Sequence, residues 1–247
     1  MSDLHPLWLS SPGVVPYGAA YQAMHELAAR RAAGQIPDTL VLLEHPPVYT
    51  AGRRTDPAHL LLAEADIRRA GAELHHVDRG GSVTFHGPGQ LVGYPIVDLG
   101  SRPDVIRYLR MVEEAIILAC ADLGASVGLA ARGDTGVWVD ERKVCAIGVR
   151  VSRGVTLHGF ALNCTTDLAW FGAIVPCGLP DRGVTSLSQL TGRSIAVEEA
   201  LPVVAGRFGE VFGRRLVPAG AEVAEAFRKV PVETFPGAVS STAPATA

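Results

Sequence analysis

The sequence predicts an α/β fold, a mixed sheet with helices packed on it and with substantial antiparallel pairing. Three observations carry that expectation. Pro103 to Leu123 is a long amphipathic helix, with Ile106, Leu109, Val112, Ile116, Cys120 and Leu123 on one face and Gly124 at its end. Gly136 to Val139 and Val144 to Val151 are strand-like runs joined by Asp140-Glu141-Arg142-Lys143, the pattern of a hairpin. Elsewhere strands and helices follow one another without the strict alternation of an all-parallel sheet.

The remaining elements follow in chain order. Residues 17 to 33 read as a helix because Tyr17, Ala20, Met24, Leu27 and Ala28 recur at helical spacing before Gly34. Thr39 to Glu44 reads as a strand that Pro46-Pro47 ends. Asp56-Pro57 supplies an N-cap and first residue for a second helix, closed by Gly71. Runs around Glu73 to Asp78, Ser82 to Phe85 and Leu91 to Asp98 read as strands, as does Val155 to Leu162. A helix spans about Val197 to Phe212. Residues 1–229 read as one domain, and the Pro/Ala/Ser/Thr-rich stretch 230–247 as a disordered tail.

Composition excludes several classes of protein. Nearly half of the 247 residues are apolar and about a fifth are charged, which is ordinary for a globular core. The net charge of -3 and the absence of a Lys/Arg stripe argue against a nucleic-acid partner. No apolar run approaches the ~20 residues of a membrane span, and the N-terminus lacks the pattern of a signal peptide. Cys120, Cys145, Cys164 and Cys177 show neither CxxC nor zinc-ligand spacing, so reduced thiols and a cytoplasmic location are expected, with no metal.

Two segments carry the chemistry. Asp78 to Pro95 holds five glycines, a local cost that a chain accepts where backbone must approach a ligand or turn tightly. Arg79, Ser82 and His86 would be the polar groups of such a loop. Neither GxxxxGK[ST] nor a helix-opening GxGxxG is present. Cys177 lies in Pro176-Cys177-Gly178, on a turn, whereas the other cysteines fall within or at the ends of predicted elements. A thiol of pKa ~8.5 needs a base or cation beside it to act as a nucleophile. His86, His158, Lys143 and several arginines are candidates, and spacing does not choose among them. Lys143 at a hairpin corner would ordinarily be a solvated surface lysine, and it is 34 positions from Cys177.

These segments resemble a known family. Arg79-Gly80-Gly81-Ser82-Val83-Thr84-Phe85-His86-Gly87-Pro88-Gly89-Gln90 is similar to the signature of lipoyl(octanoyl) transferases, with Phe85 where a tyrosine is frequent. The likeness continues through Gly136 to Val139, Lys143 to Arg150, His158 to Asn163, Pro176 to Leu179 and Val184 to Leu187. The resemblance implies the biotin/lipoate protein ligase fold and transfer of octanoyl from acyl carrier protein to lipoyl domains. Those domains belong to 2-oxoacid dehydrogenase complexes and the glycine cleavage H protein. It implies Cys177 as the acyl-thioester nucleophile, Lys143 as its acid/base partner, and no cofactor. An acyl site would be lined by Arg79, Gly80, Gly81, Ser82, Val83, Thr84, Phe85 and His86, by Ala146, Ile147 and Gly148, and by Gly159, Phe160 and Ala161. Small residues at Gly148, Gly159 and Ala161 would leave room for the chain. The rivals are an ATP-dependent lipoate or biotin ligase, whose GRGRxG-like loop is absent, and an inactive lipoyl-carrier binding module.

Overall fold

A computed structural model describes residues 4–131, 133–178 and 182–228; of Cys177 the backbone alone is described. In chain order the strands are β1 (Pro6–Val14), β2 (Asp38–Glu44), β3 (Val48–Ala51), β4 (Glu73–His76), β5 (Val83–His86), β6 (Gln90–Ile96), β7 (Val137–Val139), β8 (Arg142–Ser152), β9 (Val155–Asn163), β10 (Gly183–Val184) and β11 (Arg215–Pro218). The helices are α1 (Tyr17–Ala32), α2 (Glu64–Arg69), α3 (Val105–Asp122), α4 (Leu187–Thr191), α5 (Val197–Val211) and α6 (Ala221–Arg228). Among the described residues the strands form one large mixed sheet, ordered β10-β8-β9-β6-β2-β1-β11 with β7 beside β8, and a small sheet β4-β3-β5.

The period-2 geometry of β2 explains the layering. Leu40 and Leu42 point to a core with α3 and α5, whereas Val41 and Leu43 point to a second core with α1 and α6. A strand buried on both faces reads as the continuous apolar run Leu40-Val41-Leu42-Leu43. The small sheet has its own core, where Phe85 stacks on Trp170 with ring centroids 5.3 Å apart. The mixed α/β architecture is as the sequence predicts.

Three features differ. Asp56 caps only a three-residue 3-10 turn, Pro57–His59, and α2 begins afresh at Glu64; between them Leu60 bridges to Ile174. Strands β1, β3, β10 and β11 and helices α4 and α6 were not expected; α6 covers the α1 face with Val223, Ala226 and Phe227. Lys143 is not at a hairpin corner: the turn is Asp140–Glu141, and Lys143 is a buried residue of β8. The tail expected over 230–247 lies outside the described residues.

Candidate active site

The small sheet meets the large one around a cavity of about 350 Å³. Its wall comes from Arg79 to Thr84 and His86 of the glycine-rich segment, from Ala146 to Gly148 on β8, and from His158 to Ala161 on β9. These three stretches are adjacent because β8 pairs with β9 from Cys145↔Leu162 through Ser152↔Val155, and Gly80 N–H bonds to Val149 O at 3.0 Å. Lys143 lines this cavity together with Gly178, and also a small neighbouring pocket together with Pro176. The residues flanking Cys177 therefore share their pockets with Lys143. The side chain of Cys177 itself lies outside the described residues.

β10 is the tether that removes the sequence separation. It runs parallel to β8 with Val184 opposite Lys143, and Thr185 N–H donates to Lys143 O at 3.0 Å. Lys143 is 6% exposed, and its Nζ lies 4.5 Å from the centroid of the Trp138 ring. The Arg182 guanidinium also lies over that ring, at 4.9 Å, and is held by Asp134 at 3.2 Å and Glu141 at 2.6 Å. One indole thus supports two cations at the wall of the smaller pocket.

A buried hydrogen-bond relay ties the glycine-rich segment to the strand of Lys143. Arg79 Nη2 donates to Thr50 Oγ1 at 2.9 Å, and Thr50 Oγ1 lies 3.3 Å from His86 Nε2. His86 Nδ1 bonds Gln90 Oε1 at 2.8 Å. Gln90 Nε2 donates to Phe85 O and to Asn163 Oδ1, and Asn163 Nδ2 donates to Thr185 O at 2.9 Å. Backbone carbonyls only accept, so Phe85 O and Thr185 O fix both amide orientations. His86 then donates from Nδ1, and its Nε2 accepts from Thr50. Burial, reinforced by His45, takes the His86 pKa down to about 3. His86 is thus a neutral link in this relay, with both ring nitrogens taken up by Thr50 and Gln90.

His158 is likewise held neutral: burial, then Arg79, keeps it well below the usual imidazole range. It bonds Asp78 Oδ1 at 2.7 Å, with Arg150 also paired to Asp78. His25 is 3.8 Å from the same carboxylate, so these three residues are the one group among the described residues with metal-ligand spacing. The Arg150 cation already occupies its carboxylate.

Every expected acyl-site residue lines the cavity except Phe85, which turns into the small-sheet core instead. That is a correction: the Phe85 ring packs against Tyr49, Trp170 and Phe171, whereas its strand neighbours Val83, Thr84 and His86 border the cavity. The reason for glycine at 159 also differs from the one expected. A β-carbon there would lie 2.1 Å from Gly93 O and 2.6 Å from Pro95, so close packing on β6 demands it.

Residues 16–209 match the family described as the lipoyl protein ligase A/B catalytic domain. The chain belongs to this family. Among its relatives, the octanoyltransferase of Acidothermus cellulolyticus is 52% identical over 80% of this chain and 88% of its own. The octanoyltransferase of Mycobacterium marinum is 54% identical over 78% and 83%. These relatives group the chain with the octanoyltransferases, which are acyltransferases. Two solved structures share the fold at low identity. A lipoate-protein ligase A bound with ATP aligns with TM-score 0.70 at 17% identity, covering 91% of this chain and 93% of the other. A bipartite lipoate protein ligase from Thermoplasma acidophilum aligns with TM-score 0.66 at 18% identity, covering 92% and 91%.

For a lipoyl protein ligase A/B catalytic domain with four cysteines, three thiols are poorly suited to attack. Burial pushes Cys120 and Cys164 up to about 12, and Cys145 well above its ordinary value. Sequence reasoning missed Tyr17, His59, Trp138 and Arg182 as neighbours of the cavity or of Lys143. Trp138 lay within a quoted motif and carried a signal, since a buried indole beside a lysine favours cation–π contact. The other three come from distant elements and carried none. No helix among the described residues is long and apolar enough to cross a membrane.

Proposed function

We propose that the protein moves an octanoyl group from octanoyl-acyl carrier protein to a lysine of lipoyl domains, through an acyl-thioester on Cys177. The acceptors would be lipoyl domains of 2-oxoacid dehydrogenase complexes and the glycine cleavage H protein. The reaction needs no cofactor, because exchange of one thioester for another is nearly isoenergetic.

The observation that carries this reading is the pairing of β10 with β8, which brings the flanks of Cys177 to the pockets of Lys143. A cation beside the thiol favours thiolate, the attacking species. Cys177 Sγ attacks the carbonyl carbon, the carrier thiolate leaves and takes a proton from the Lys143 ammonium. The neutral Lys143 then accepts a proton from the incoming lysine amine as it attacks, and Cys177 thiolate is released. Backbone N–H groups of the glycine-rich wall can stabilise the tetrahedral oxyanion. The cavity lies near the low end of the range for small-ligand sites, in keeping with one extended acyl chain.

Intact-mass measurement after incubation with octanoyl carrier protein tests this. A gain of ~126 Da on the Cys177 peptide is expected, with loss of adduct and turnover in Cys177→Ala and retention in Cys120→Ala and Cys164→Ala. Normal turnover by Cys177→Ala, or a strict requirement for ATP, would overturn it.

A further inference from the structure

We propose that His59 is a positioning residue for the reaction: its imidazole, pinned by Ser82, sets the turn Pro176–Gly178 against the glycine-rich wall. The inference rests on Cys177 being the nucleophile carried by that turn.

The backbone around His59 is laced to the approach to Cys177. Val175 N–H donates to His59 O at 2.9 Å, and Leu61 N–H donates to Ala173 O at 2.9 Å. Leu60 and Ile174 form an antiparallel bridge between those bonds. A His placed one turn after the Asp56 cap is thereby brought beside a segment more than a hundred positions away.

The side chain completes the connection. His59 Nδ1 lies 2.7 Å from Ser82 Oγ, and Asp56 N–H donates to the same nitrogen at 3.4 Å. In the neutral ring Nδ1 is therefore the acceptor, Ser82 Oγ–H donates to it, and the proton sits on Nε2. The Cε1–Nδ1 edge of the same ring faces Gly178, leaving no room there for a side chain. A β-carbon at Gly178 would stand 2.7 Å from His59 Cε1, 3.2 Å from Nδ1 and 3.4 Å from Nε2. Gly178 also has φ of +71°, a left-handed backbone. The residue after Cys177 is glycine for two reasons at once, and one of them is the His59 ring. His59, Ser82, Gly178 and Lys143 all line the main cavity.

A three-residue turn has little backbone bonding of its own; Gly178 N–H to Val175 O at 2.9 Å closes it. Its placement must come from neighbours. A displacement of ~1 Å of a reacting group can cost on the order of a hundredfold in rate. His59 stands against the turn at Gly178 and bonds Ser82 through Nδ1, so it links the position of the glycine-rich wall to that of the nucleophile.

The test compares wild type, His59→Ala, His59→Asn, Ser82→Ala and the double variant His59→Ala/Ser82→Ala, with thermal unfolding to certify the fold. His59→Ala should lower kcat roughly 10- to 100-fold while KM for octanoyl carrier protein stays within about threefold. His59→Asn, whose amide oxygen can accept from Ser82, should recover most of that loss. The double variant should be no slower than the slower single variant, because both changes cut one connection. Unchanged kcat in His59→Ala, no recovery in His59→Asn, or additive losses in the double variant would each overturn the proposal. If His59→Ala does not fold, the Asn and Ser82 variants decide it by kcat in the same way. Wild-type enzyme without an adduct on Cys177 would sink the nucleophile reading, and this inference with it. An adduct in wild type with indifferent His59 variants would sink this inference alone.

Discussion

The Lys143 ammonium rests over the face of Trp138, 4.5 Å from the ring centroid, although the two side chains belong to antiparallel strands paired at that very register. A cross-strand neighbour thus supplies the quadrupole that holds the cation at the cavity wall. Cation–π contacts of this kind contribute about 0.5–2 kcal/mol. Trp138→Leu should therefore slow octanoyl transfer roughly 2- to 30-fold, and Trp138→Phe distinctly less. Equal losses in the two variants, with both folded, would mean that packing and not the π-face matters.

Lys143 is expected to separate the two half-reactions. Lys143→Ala should slow iodoacetamide alkylation of Cys177 near neutral pH, as the thiol returns toward its reference pKa of ~8.5. Lys143→Arg keeps a cation but cannot readily give up a proton. Single-turnover measurements should show acyl-enzyme formation less impaired than transfer to the acceptor lysine. Equal impairment would reduce Lys143 to a positioning role.

Thiol accessibility offers a simpler check. Cys120 and Cys164, pushed to about 12 by burial, should resist alkylation at pH 7.5 in the native protein, as should Cys145. Peptide mapping should find label on Cys177 first, and on all four cysteines only in denaturant. Early labelling of Cys145 or Cys164 would contradict the buried environments described.

Stability should fall as the solution is acidified through the histidine range. His86 and His45 are held down to about 3 and about 4, against 6.5 for an ordinary imidazole, chiefly by burial. Between those values the unfolded chain binds protons that the folded chain does not, so unfolding is favoured as pH drops. The loss begins below about 6.5 and continues toward pH 4 for His45 and pH 3 for His86, whereas above 6.5 these groups leave stability unchanged. Urea midpoints measured across that window should decline less steeply in His86→Asn. An identical slope would show that His86 is not the titrating group.

The relay predicts a cost for breaking it. Gln90→Leu leaves His86 Nδ1–H and Asn163 Oδ1 buried without partners, a loss of about 1–3 kcal/mol for each. Urea denaturation should register it, and turnover should fall too, because Asn163 bonds the carbonyl of Thr185, whose N–H anchors Lys143. A stable, fully active Gln90→Leu enzyme would show that the relay positions nothing.

Much of the architecture could be read from the chain because it rests on local periodicity. The apolar face of α3, the buried run of β2 and the long β8–β9 pair each announce themselves. The elements that were not legible are short or decided by distant partners. β10 has two residues and is a strand only because β8 lies beside it. The helix expected from Asp56 to Gly71 breaks because Leu60 pairs with Ile174, a contact no local pattern encodes. At the site, the glycine-rich segment and the turn at Cys177 were visible as departures from regular structure. Lys143 looked like a surface residue because hairpin corners usually hold one, whereas one register step puts it inside. Phe85 stands within the signature and so was expected in the acyl wall, yet its ring packs with Trp170 and Phe171 in the small-sheet core, partners that no local pattern announces.

The cavity draws its walls from two sheets with separate cores: Arg79 to His86 belong with β5 of the small sheet, and Lys143 with β8 of the large one. The large sheet, sandwiched by helices on both faces, buries far more apolar surface and should open last. Partial opening of the smaller unit would dissolve the catalytic geometry while the bulk of the molecule stayed native. Inactivation is then an early, reversible event in denaturant, occurring at urea concentrations where circular dichroism still reports a folded chain, and dilution alone should restore the enzyme.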